Sequence, residues 1–197
     1  MFFSGNMLQY KQGVIYVKKP SKTERKLDRE LEKYSNADVS QIKIGPWPEA
    51  KETLLERGFK EKDGGYLVQK KLSLWKTVSC DCVYHAEIES VADGIKRAFE
   101  RSRQIKELNF SSIGGMCYIA LLYKERVSPE DLNNLVRIQA STIAVEGTIG
   151  MNQWGENLLF ILVDKSTGTG YFVEADPALG AVYTHGCKVL RAVFGEK

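Results

Sequence analysis

At 197 residues, with 43% hydrophobic and 27% charged residues, the sequence has the composition of a globular protein long enough to bury about 70% of its unfolded surface. The formal net charge of +3 is too small to demand a nucleic-acid partner, although residues 1–75 hold 15 Lys/Arg against 10 Asp/Glu and residues 76–197 hold 13 against 15. The longest clean run of bulky apolar residues, Leu158–Val163, has six residues, where a membrane-spanning helix needs roughly 20.

The opening residues are neither basic enough nor long enough for a signal peptide, and four cysteines are too few for a disulfide framework. A cytoplasmic protein with reduced thiols and no membrane segment is the expectation.

In chain order, Phe3–Lys19 reads as a hairpin or two short strands ending at Pro20. Ser21-Lys22-Thr23-Glu24 is a capping box that opens a charged helix. Val39, Ile42 and Ile44 suggest a strand closed by Gly45-Pro46. Trp47-Pro48-Glu49 then starts a helix with Ala50, Leu54 and Leu55 inward and Gly58 as its cap. Asp63-Gly64-Gly65 between two strand-like arms is a hairpin signal.

The chain is organised around Cys80–Leu108. Val78, Cys80, Cys82 and Tyr84 alternate on one side of a strand, and from Ala86 the apolar residues change to helical spacing through Leu108. This predicts the longest helix of the protein. Met116–Tyr123 is apolar on every side and is buried whether strand or helix. Ser128-Pro129-Glu130-Asp131 is a helix start. The last third reads mostly as sheet: Ile143–Val145, a hairpin of Asn157–Asp164 with Tyr171–Glu174, and strands at Ala181–Thr184 and Lys188–Phe194 parted by Gly186.

The expected architecture is therefore α+β, a mainly antiparallel sheet against one long helix and several shorter ones. One domain over residues 1–197 is expected. A compositional change near Trp75-Lys76 offers a small lobe, 1–75, and a main lobe, 76–197, as the other division.

Four groups of residues carry chemistry. Cys80, Cys82 and His85 form one thiol–imidazole cluster, and His185 with Cys187 a second. Read on strands, residues two apart share a face; a pair of unliganded thiols, with no cofactor, is the leading reading, and a tetrahedral zinc site, should the two strands be neighbours, is the alternative. Lys96, Arg97, Arg101, Arg103 and Lys106 make one helix basic, which suits a solvated face or, less well, a polyanion. Asn152 and Trp154 lie among amides and glycines, a composition fit equally for a recognition loop or for a cover over the core edge.

Cys117 is the fourth. It follows Gly115-Met116 and heads an apolar segment, and Asp176-Pro177 follows a strand. On these short motifs, over some seventy residues, the chain resembles papain-like cysteine proteases used as bacterial effectors. The resemblance implies a thiol hydrolase with Cys117 as nucleophile and Asp176 as its acid. The chain departs from that pattern in having no His between Cys117 and Asp176, which leaves His185 or His85 to supply the imidazole. Whether the chain is an enzyme stays open at this point. The leading expectation is a non-catalytic protein-interaction or accessory module whose partner is another protein. A cysteine-dependent hydrolase comes second and polyanion or nucleic-acid binding third.

Overall fold

The computed structural model describes residues 8–11, 14–17, 39–72, 78–105, 116–148, 157–174 and 181–195. Strands β1 (Leu8–Lys11) and β2 (Val14–Val17) pair as an antiparallel hairpin, a sheet of their own. The capping-box helix expected from Ser21 lies outside the described residues.

The main sheet has seven strands: β3 (Val39–Lys43), β4 (Lys60–Lys62), β5 (Tyr66–Leu72), β6 (Val78–Glu87), β7 (Met116–Lys124), β8 (Asn157–Asp164) and β9 (Thr169–Val173). Their order across the sheet is β3-β9-β8-β7-β6-β5-β4. Helix α1 spans Trp47–Glu56, α2 Val91–Ser102, α3 Pro129–Thr148 and α4 Ala181–Phe194. The fold is α+β. The sheet, however, is mixed rather than mainly antiparallel: β6, β7 and β8 run parallel at its centre, and antiparallel strands flank them on both sides.

The parallel centre follows from connectivity. β6 reaches β7 through α2, and β7 reaches β8 through α3, which are crossovers and not hairpins. Strand order advances in one direction through both, so crossovers of constant hand must place both helices on one face. They do: Val91, Ile95 and Ala98 of α2 and Leu135 of α3 share a core with Cys80, Cys82, Tyr118, Leu158 and Phe160. Ala50 and Leu54 of α1 and Cys187, Leu190 and Val193 of α4 cover the other face, over Val83, Cys117, Leu121, Ile161 and Phe172. Buried from both sides, β7 and β8 can be apolar at nearly every position.

Local signals placed several elements. Gly64 (φ 102°) and Gly65 (φ 76°) supply two consecutive left-handed residues to the β4–β5 turn, which side chains with a Cβ adopt at a cost. At the start of α3, Ser128 Oγ accepts from Asp131 N at 3.2 Å, while Asp131 Oδ2 accepts from Ser128 N at 2.9 Å, a reciprocal capping box.

Other expectations need correction. The long helix predicted from Ala86 is a twelve-residue helix beginning at Val91, because β6 stays paired with β7 as far as Glu87↔Tyr123. Ser90 then caps α2 by accepting from Asp93 N. Leu55 is exposed, not inward. Ile143–Val145 is helix, the end of α3. Ala181–Phe194 is one helix, not two strands. Gly186 does not break α4; it lets the helix lie close to the sheet, for a Cβ there would stand 3.0 Å from Cys117 Sγ. No helix among the described residues is long and apolar enough to cross a membrane.

Candidate functional site

Successive strand residues point to opposite faces, and this separates the residues proposed as metal ligands. Cys80 and Cys82 face α2 and α3, their sulfurs 3.8 Å apart and both buried. His85 lies on β6 at an odd position, and Cys187 packs in the core under α1 and α4. The sheet therefore stands between the Cys80–Cys82 pair and Cys187. His185 and Cys187 do not extend a strand: they sit on α4, where a spacing of two no longer means a shared side. Among the described residues no three His, Cys, Asp or Glu side chains converge to hold a metal ion.

What meets His185 is Asp81, the residue between the two cysteines. Its Oδ1 lies 2.7 Å from His185 Nε2. Asp81 is fully buried, whereas the His185 side chain is 39% exposed. Asp81 Oδ2 has no hydrogen-bond partner among the described residues. Cys117 is the parallel-register neighbour of Asp81 and so shares its face. The thiol is wholly buried. Burial first, then the Asp81 carboxylate and Cys187, push its pKa well above the ordinary thiol value. Cys117 is held as S–H.

A second polar centre lies on the same face, near the end of β6. His85 stacks on Trp47, ring centroids 3.8 Å apart, and Tyr123 meets the same indole edge-on at 6.4 Å. His85 Nδ1 and Tyr123 Oη are buried without partners among the described residues. Burial lowers the pKa of His85 against a smaller opposing pull from Glu87, and burial and Glu87 both raise that of Tyr123. Both rings are thus kept neutral near pH 7. A cavity of about 340 Å³ lined by Glu87, Glu89, Ser90, Asp93 and Arg97 opens at this end of β6, away from Asp81 and Cys117.

The basic residues of α2 are largely occupied. Arg97 donates to Glu87 O at 2.8 Å. Arg101 donates to Gly64 O and to Gln104 Oε1 and lies over the Tyr66 ring. These two guanidiniums tie the helix to the sheet, while Lys96 and Arg103 are exposed and Lys106 lies outside the described residues. Asn152, Trp154 and Asp176 lie outside the described residues.

Sequence reasoning passed over Asp81, Trp47 and Tyr123. One signal was present: an ionisable residue between two cysteines, inside a strand otherwise fit for a core. Fold and site together define a three-layer α+β domain with a buried carboxylate presenting an imidazole at one end of its parallel strands. No family model, curated protein or solved structure matches the chain.

Proposed function

We propose that this chain is a protein-interaction or accessory module that binds through the end of the sheet where β6, β7 and β8 begin, with His185 as a fixed contact. The observation that carries the reading is the Asp81–His185 hydrogen bond. An imidazole anchored by a buried carboxylate loses little further rotamer freedom on binding, and a half-exposed ring offers both apolar area and a polar atom. Connectivity adds to it. Asn152 and Trp154 precede Asn157 by five and three residues, and Asn157 is the register partner of Cys117. The partner this reading calls for is another protein, with no cofactor.

The test is capture of a partner with the unmodified chain, followed by reconstitution from two purified proteins. His185→Ala and Trp154→Ala are each expected to weaken the reconstituted complex at least about 30-fold, the size of a hot-spot truncation. Equal binding by both variants would sink the reading.

A second reading, a hydrolase with Cys117 as nucleophile, has one observation in its favour: Cys117, Asp81 and His185 gather at one end of the sheet. Alkylation followed residue by residue against pH decides it. A buried, protonated Cys117 is expected to react slowly at neutral pH; rapid modification would favour the hydrolase.

A further inference from the structure

We propose that Asp81 and His185 form a general-base pair that hydrolyses neutral acyl esters, with water and not Cys117 as the nucleophile. With Nε2–H of His185 donating to Asp81 Oδ1, Nδ1 is the ring nitrogen that accepts a proton. The carboxylate is fully buried, and among the described residues no donor other than the imidazole hydrogen-bonds to it. Such a carboxylate orients the ring and stabilises the imidazolium that forms in the reaction. The 39% exposure of the His185 side chain gives water and substrate access to it.

Two neighbours narrow the chemistry. Cys117 stays S–H and is a poor nucleophile. The fixed charge nearest the imidazole is a carboxylate, which repels anionic phosphate esters. On α4, Arg191 is taken up by Glu174 at 2.7 Å, and Lys188 lies exposed one turn beyond His185. A neutral carboxylic ester fits this field.

In the step itself, His185 Nδ1 takes a proton from water as the water oxygen bonds to the ester carbonyl carbon. The tetrahedral adduct collapses, the C–O bond to the alcohol breaks, and the leaving oxygen takes the proton back from Nδ1. Acid and alcohol are the products, and no other reagent is consumed.

The probe is 4-nitrophenyl acetate with the full chain. The unmodified protein is expected to exceed equimolar free imidazole by at least about 100-fold, the low end for general-base catalysis. His185→Ala should fall to background and regain part of the rate when imidazole is added to the solution. Asp81 is a positioning residue: Asp81→Asn should lower kcat about 100-fold with KM unchanged. Carbethoxylation of His185 in the unsubstituted chain, mapped against His85 by mass spectrometry and reversed with hydroxylamine, should abolish and restore hydrolysis, independent of whether the variants fold. A rate no greater than that of imidazole, a rate that does not follow His185 modification, or an acetyl group accumulating on Cys117 would overturn the proposal.

Discussion

The two faces of the sheet differ in how they treat polar groups. On the α2/α3 face, Tyr118 Oη donates to Ala98 O at 3.1 Å and Ser102 Oγ to Phe99 O at 2.8 Å. Gln139, fully buried on α3, donates to Leu158 O and accepts from Phe160 N. That pair of bonds has a structural cause: β8 pairs with β9 only from Leu162 to Asp164, and Gln139 satisfies the strand upstream of that point. The α1/α4 face instead holds Asp81 Oδ2, His85 Nδ1 and Tyr123 Oη without partners among the described residues. A buried polar group without a partner costs about 1–3 kcal/mol. One face is arranged for stability; the other carries groups that stability alone does not explain.

Substitutions on each face can break or sharpen this contrast. Phe160→Ala, on the well-satisfied face, removes a fully buried ring that packs on Phe99 with centroids 5.4 Å apart. Chemical denaturation should record a loss of about 3–5 kcal/mol. Gln139→Leu strands two backbone groups of β8 and should cost about 2–4 kcal/mol by the same measurement, even though a polar residue has left the core. A neutral or stabilising result there would erase the contrast.

Acid supplies a third comparison, between the faces and the far end of the sheet. Burial alone would raise the carboxyl pKa of Asp164, but hydrogen bonds from Ser166, Val127 and Thr167 outweigh it and hold the group below the ordinary value. Asp131 behaves alike: burial opposes, while Lys124 and Ser128 win. The folded pKa is lowered in both, so their stabilisation is present above the unfolded value of about 3.9 and is lost as pH falls through the folded value. Stability measured from pH 5 downwards should fall by up to about 1.4 kcal/mol per pH unit for each such group, and Asp164→Asn should flatten part of that slope. An unchanged slope would remove Asp164 from the account.

The smallest effect is expected on the unsatisfied face. Tyr123→Phe deletes a buried hydroxyl with no partner and should change stability by less than about 1 kcal/mol, towards stabilisation. A loss of 2 kcal/mol or more in thermal unfolding would mean that the hydroxyl is satisfied after all, and the two faces would then be alike.

Much of this architecture was legible along the chain, wherever local chemistry decides. Asp63-Gly64-Gly65 marked the β4–β5 turn because the turn needs positive φ twice. Ser128-Pro129 marked the start of α3 because Ser and Asp131 cap each other. Leu158–Val163, apolar throughout, belonged in the core as any unbroken run of that kind does. The candidate site was legible only in its parts: Cys117 and His185 were named, but Asp81 was not.

The rest required the tertiary structure, for reasons of physics rather than of missing signal. Short segments such as Ala181–Thr184 fit a strand or a helix equally, and α4 is fixed by packing Leu190 and Val193 on the sheet with Gly186 over Cys117. Nothing local to β6 says that it ends at Glu87 and not Ala86, because its length is set by pairing with β7. Parallel or antiparallel pairing is a property of the connections. The meeting of Asp81 with His185, 104 residues apart, exists only once α4 has docked on the sheet: the sequence determined which groups were present, and folding decided which face, and which neighbour, each received.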